Sequence, residues 1–498
     1  MEVSGMGRGN ASGEKNKRDL RIVIMGAGIG GLGMGIKLLE AGFEDFVILE
    51  KSSRLGGTWN YNRYPGCECD IPSHLYSYSF ELKNDWSKPY APQPEILEYL
   101  DGVAEKYGVL PHCRFGDEVR RATWSDEKRR WTVELASGRK EEADVVVSAI
   151  GMFNDLFYPS IDGLDAFEGK SFHSARWDWD HSLVGESVGV IGSAASAVQF
   201  VPQIVKEAGQ VHLFQRSANW VLPKEDVPFT EQQLEHFRND PNAAQALRDE
   251  IYNGIEAGQA FYDRNVALEM EESCRGNIAL VDDPAIREKL VPDYQWGCKR
   301  PLFSNDYYPA FNRPNLELVT EQVERIDPHS VVTVDGRERR IDTLVFATGF
   351  ETTKYLSAIE VTGRGGIKIE DAWSDGAHAY MGVTTAGFPN LFMLYGPNTN
   401  QGSLIAMIEW EIDHSLRHIR RLVDEGLAWI DVKPEPMAKY NEQIQKDIDA
   451  VGPWQAGQCT GYYRSASGRV VTQWPHSMGA FQKTLEEVDP DAFEVQPL

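Results

Sequence analysis

Three glycines, Gly26, Gly28 and Gly31, stand in G-x-G-x-x-G spacing with Gly30 between the last two, and an acid, Glu50, lies 24 residues beyond the first. Glycine at these places permits a tight turn, lets a pyrophosphate approach the backbone and lets a helix pack closely on a strand. The free N–H groups at the start of that helix then face the phosphates. A carboxylate at Glu50 suits the two hydroxyls of an unphosphorylated ribose. A second set repeats the spacing with different chemistry. Gly192, Ser193, Ala194 and Ser196 form the next turn, and Arg216 lies 24 residues beyond Gly192. A guanidinium there suits a 2′-phosphate, which a carboxylate would repel. The first unit is therefore expected to bind FAD or NAD, and the second NADP. Ala194 and Ala197 take the later glycine positions of the second turn, each adding a methyl where backbones must come close.

The elements that must position these residues are readable from apolar patterning. Residues 22–24 read as a buried parallel strand, 32–39 as a helix stopped by Gly42, and 46–49 as a second strand ending at Glu50. Residues 188–191 and 211–214 are the corresponding strands of the second unit. The stretch 54–70 is a loop dense in Gly, Pro and aromatics, expected to pack on a ligand. A helix is expected over 94–107, and antiparallel strands over 120–134 and 140–150 around Ser137-Gly138, with a buried strand at 144–151. Residues 230–290 read as a helical insertion, on which Tyr252, Phe261 and Tyr262 are expected to pack between helices rather than line an entrance. Strands return at 316–320, 331–334, 341–346 and 391–395. A long helix follows over 404–425, with Ser403 as its expected N-cap. Placed near a flavin ring, that helix start would stabilise the anionic reduced form. The tail carries Tyr462-Tyr463-Arg464 and Arg469, up to Trp474.

Composition narrows the class. The chain has 498 residues with 50 basic and 75 acidic side chains, a net charge of −25, which disfavours nucleic acid and anionic membrane as partners. No apolar run reaches the roughly 18 residues of a spanning helix. Residues 1–18 read as a disordered tail without a signal-peptide core, so Asn10-Ala11-Ser12 is a sequon without use, and the expectation is a cytoplasmic protein. Six sparse, irregular cysteines suggest reduced thiols, and Cys67-x-Cys69 has the wrong spacing for zinc or redox work. No metal is expected.

The joint before the second turn is more specific. Phe167-x-Gly169-x3-His173-x3-Trp177-Asp178 resembles the fingerprint of flavin-dependent Baeyer–Villiger monooxygenases, and the likeness runs from about residue 21 to 474. Gly56-Gly57-Thr58-Trp59 and Arg63-Tyr64-Pro65-Gly66 are similar to the family's flavin-side loops, Asp70 to the acid ending the second, Lys299-Arg300 to its basic pair, and Ala347-Thr348-Gly349 to its linker. The chain departs from the family at Ala194 and Ala197, and at Gln401-Gly402-Ser403 where relatives often carry Leu-Gly-His.

The resemblance implies an α/β fold with two Rossmann-like dinucleotide-binding domains, for FAD and NADP, and a helical insertion. The expected bounds are 19–155 with 336–498 for FAD, 156–229 with 298–335 for NADP, and 230–297 for the insertion. It implies FAD- and NADPH-dependent insertion of one oxygen atom of O₂ next to a ketone carbonyl, through a C4a-peroxyflavin, giving an ester or lactone. Cofactor-binding positions are Gly26, Gly28, Gly30, Gly31, Glu50, Thr58, Trp59, Asp70, Tyr76, Val119, Gly192, Ser193, Ala194, Ser196, Arg216 and Lys299. Arg300 is the fixed cation for the tetrahedral alkoxide, Asp70 pairs with it and sets its place, and Lys299 joins Arg216 on the 2′-phosphate. His173 is expected to transmit cofactor binding into domain rotation, and Trp177 and Trp179 to pack. The partners are a small-molecule ketone and O₂. One rival is oxygenation of amine nitrogen or sulfide sulfur. Another, disulfide reduction, lacks its cysteines, because Trp59 and Tyr64 hold their places.

Overall fold

Ile22–Met25 is a strand buried at every position, as are its neighbours Phe46–Glu50 and Val145–Ser148. A parallel sheet covered on both faces demands such unbroken apolar runs. In this computed structural model, which describes residues 19–240, 242–257, 263–455, 461, 463–487 and 489–498, those three strands form the centre of a five-stranded sheet. Its order is Leu391–Met393, Val145–Ser148, Ile22–Met25, Phe46–Glu50, Cys113–Phe115, with every pairing parallel. The N-terminal tail with Asn10, and Phe261, Tyr262, Cys459 and Tyr462, lie outside the described residues.

A second sheet repeats the plan, in the order Leu316–Val319, Gln210–Phe214, Ser187–Ile191, Thr343–Phe346, Lys170–His173, again all parallel. The fold is α/β with two Rossmann-like units. One expected boundary moves. Thr343–Phe346 falls in the segment expected to return to the first domain, but it pairs in the second sheet, Phe346 opposite both Ile191 and His173. An isolated apolar strand reads alike for either sheet, and only its register decides. The chain therefore leaves the second sheet after Phe346, through Ala347-Thr348-Gly349.

The strand expected over 120–134 is two, Val119–Ser125 and Arg130–Leu135, split by a turn in which Arg129 takes the left-handed φ of 53°. Arg130–Leu135 then pairs antiparallel with Lys140–Ala143 around Ser137-Gly138, while Val145–Ser148 departs into the first parallel sheet. Among the described residues the insertion contains the helices Glu231–Asn239, Ala243–Ala257, Arg264–Ile278 and Pro284–Leu290. Thr230 and Gln233 close a capping box at its start. Buried Arg248 ties the insertion to the first unit, donating from Nη1 to the carbonyl oxygens of His74, Leu75 and Ser77 at 2.9–3.1 Å.

Two further expectations are corrected. Ser403 precedes the Leu404–Asp424 helix but does not cap it, because its hydroxyl donates instead to Leu75 O at 3.3 Å. Cys67, Cys69, Cys113 and Cys274 are free, but Cys298 is disulfide-bonded, against the reading of all six as reduced thiols. Linear spacing carries no sign of a bond that depends on neighbours in space. Among the described residues no helix is long and apolar enough to cross a membrane.

Candidate active site

Each turn must bring bare backbone to the cleft, and the glycines show why. Gly26 has φ of 101°, and a Cβ there would stand 2.7 Å from Ala149 O. A Cβ on Gly31 would lie 1.9 Å from Gly26 O, so the helix can close on the strand only with hydrogen at that position. Gly57 faces Gly28 across the turn, its Cβ position 2.9 Å from Gly28 Cα. The Ile29–Glu40 helix begins at Gly28 with no side-chain cap, leaving its first N–H groups for an anion. Buried Glu50 is held by two backbone donors, Ala27 N–H to Oε2 at 2.9 Å and Ser52 N–H to Oε1 at 2.8 Å. A cradle that a Cβ at Gly26, Gly31 or Gly57 would crowd, with a fixed carboxylate beyond it, fits a dinucleotide with an unphosphorylated ribose.

The second turn copies the first. Gly192 has φ of 102°, and a Cβ would lie 2.5 Å from Ala347 O, the counterpart of the Gly26–Ala149 approach. Ala194 takes the N-cap place of the Ala195–Ile204 helix without a side-chain bond, and the Ala197 methyl is accommodated in full burial. Lys299 Nζ donates to Ser217 Oγ at 2.6 Å and lies 4.5 Å over the Tyr294 ring. Burial, and then the Arg216 charge, hold the Lys299 pKa below its ordinary 10.5, with Asp293 opposing them. Two cations kept close at this strand end fit a 2′-phosphate dianion. Ser217 and Tyr294 escaped the sequence reading. Ser217 directly follows Arg216 and was open to inspection, whereas nothing in sequence joins Tyr294 to Lys299.

Between the turns, Arg300 grips Asp70 in a two-pronged pair: Nε to Oδ2 at 3.0 Å, and Nη2 to Oδ1 and Oδ2 at 2.7 Å each. The side chains stay 34% and 25% exposed, so the guanidinium faces the cleft rather than the core. The loop bearing Asp70 reaches the second unit as well. Tyr64 Oη donates to Gln199 Oε1 at 2.9 Å, and Gln199 Nε2 donates back to Glu68 O at 3.0 Å. Gln199 is another residue the sequence reading missed. Trp59 Nε1 donates to Tyr76 Oη at 3.1 Å, the two buried rings meeting edge to face.

One cleft of about 1920 Å³ takes in all of this. It is lined by Gly26, Gly28, Gly30, Glu50, Thr58, Trp59, Asp70, Tyr76, Val119, Gly192, Ser193, Ala194, Ser196, Arg216, Lys299 and Arg300. Gly31 is not in its wall; it lies behind the turn, against Gly26 O and the Ala149 methyl. His173 is buried outside the wall, its Nδ1 accepting from Ala175 N–H at 3.1 Å. Burial pushes its pKa down to about 4, which leaves the imidazole neutral at physiological pH and unfit as a general acid there.

The family model described as pyridine nucleotide-disulphide oxidoreductase matches residues 23–273, a span containing both glycine turns. A protein of Streptomyces coelicolor named Baeyer–Villiger monooxygenase is 40% identical over 492 residues, covering 97% of this chain and 94% of its own. The chain belongs to the Baeyer–Villiger monooxygenases. A Baeyer–Villiger monooxygenase of Pseudomonas aeruginosa is 38% identical, with 96% of this chain and 92% of that one covered. Among solved structures, cyclohexanone monooxygenase from Rhodococcus sp. Phi1 bound to NADP+ superposes with a TM-score of 0.87 at 28% identity, over 96% of this chain and 99% of its own. An oxidised steroid monooxygenase bound to NADP gives 0.86 at 30% identity, covering 96% and 100%. Membership of the Baeyer–Villiger monooxygenases makes this chain an enzyme and its cleft the place to seek the chemistry.

Proposed function

We propose that the enzyme converts a ketone, O₂, NADPH and a proton into an ester or lactone, NADP+ and water, with the first turn holding FAD and the second NADPH. The observation that carries this is the Asp70–Arg300 pair, standing in a cleft that both turns line. Bound FAD, once reduced by NADPH, supplies the activation of O₂. The chain supplies the rest. Gly26, Gly28 and Gly57 let the pyrophosphate reach backbone, and Glu50 receives the ribose hydroxyls. Arg216, Lys299 and Ser217 hold the 2′-phosphate, which selects NADPH over NADH.

Oxygen insertion places negative charge on the former carbonyl oxygen before a carbon migrates. A guanidinium keeps its charge across the physiological range, so Arg300 can hold that oxygen without giving up a proton. Asp70 fixes the fork through both of its oxygens and leaves the guanidinium partly open to substrate. Trp59, Tyr64 and Tyr76, all buried, give this end of the cleft an aromatic wall. A solved cyclohexanone monooxygenase carrying ε-caprolactone, a lactone, supports the product class.

The test is product analysis by mass spectrometry on a panel of cyclic, aliphatic, aryl and steroid ketones with amines and sulfides added. Ester or lactone with stoichiometric NADPH loss is expected. N-oxide or sulfoxide as the sole product would overturn the assignment.

A further inference from the structure

Two residues before Asp70, the same loop carries a second carboxylate that the reaction does not use. Glu68 sits between buried Cys67 and Cys69 and accepts from Lys224 Nζ through Oε1 and from Lys88 Nζ at 2.5 Å through Oε2. Lys88 Nζ also donates to Asp226 Oδ2 at 2.7 Å, and Lys224 Nζ lies 3.4 Å from the same oxygen. The cluster thus holds two acids and two bases. It is better sheltered than the Asp70–Arg300 pair, with the Lys224 side chain only 5% exposed against 34% for Arg300. Shielded from water and salt, such charges lock a geometry where an exposed pair would not.

Lys224 and Arg300 are not independent. Val221–Leu222 pairs parallel with Leu302–Phe303, two residues away from each cation. Just past that ladder Lys224 N–H donates to Asn305 Oδ1 at 3.0 Å, and Asn305 Nδ2 donates to Lys224 O at 2.8 Å. Glu68 and Asp70 on one loop therefore grip Lys224 and Arg300, each of which flanks one of two joined strands. One guanidinium must keep both oxygens of Asp70 and still present its open side to a developing oxyanion. The neighbouring grip does not depend on that fork.

We propose that Glu68 is a positioning residue which, through Lys224, keeps Asp70 and Arg300 in register between the two units while oxygen is transferred. This rests on the function proposed above. Loss of register diverts O₂ to the unproductive reaction in which NADPH, a proton and O₂ become NADP+ and hydrogen peroxide. In the full-length holoenzyme, Glu68→Gln is expected to lower ester formed per NADPH several-fold and to raise peroxide correspondingly. Hydrogen exchange at the Cys67 and Cys69 amides, bonded to Tyr64 O and Ala91 O, is expected to quicken. The double variant Glu68→Gln with Lys224→Met is expected to lose no more coupling than the worse of its parents, because each single change already breaks the same link. Lys224→Met gives the same readouts should Glu68→Gln fail to fold. Wild-type coupling in Glu68→Gln, or losses that simply add in the double variant, overturns the proposal. Failure of the functional reading looks different, because the wild-type enzyme itself then makes no ester.

Discussion

Arg216 and Lys299 share a strand end with Ser217, and Arg216 is near enough to depress the Lys299 pKa. Such a pair is held against its own repulsion, which a 2′-phosphate relieves. Arg216→Glu is expected to raise the Michaelis constant for NADPH by about tenfold or more while the maximal rate changes less, since uniform binding is lost. Steady-state kinetics check this, and an unchanged constant counts against the assignment. Glu50, Arg216, Lys299, Asp70 and Arg300, which one cleft brings together, could be singled out in the sequence because each stands at a fixed offset from a turn or within a motif. Tyr294 and Gln199 could not, since only the folded chain brings a ring over Lys299 or an amide to Tyr64 and Glu68. Glu68 was equally silent, because the partner that gives it meaning lies 156 residues away.

At the scale of elements, the two turns differ where one methyl decides. Gly31→Ala would push a Cβ to 1.9 Å from Gly26 O, forcing helix and strand apart. The expected result is protein that loses bound flavin, read from its visible absorbance, whereas Ala197→Gly retains it. Full flavin content in Gly31→Ala would contradict the packing argument. The Leu404–Asp424 helix carries a different strain. Its Glu411 is fully buried, accepts from Tyr395 N–H at 2.5 Å, and burial raises its carboxyl from 4.5 to about 8. Between those values the unfolded chain releases this proton and the folded chain keeps it, so the group's contribution to stability falls as pH rises from 4.5 to 8. Glu411→Gln is expected to flatten the decline of Tm over that window; an unaltered slope would show that Glu411 titrates normally. The central strands were readable as unbroken apolar runs. The sheet to which Thr343–Phe346 belongs, and the true partner of Ser403, were not, because both are settled by contacts distant in sequence.

The molecule as a whole places two nucleotide cradles on one cleft and ties its sides by links that include Asp70 to Arg300, Glu68 to Lys224 and Tyr64 to Gln199. Reduction needs only the cradles and the alignment of two ring systems. Oxygen insertion needs, in addition, a charge at the point where the carbonyl oxygen turns negative, and Arg300 lines the cleft that both cradles share. These demands separate in a single variant. In Arg300→Ala, anaerobic NADPH is expected to bleach the flavin absorbance as in the wild type, while ester from a ketone the wild type accepts falls by roughly 10²-fold or more. Wild-type ester yield from Arg300→Ala would contradict the account.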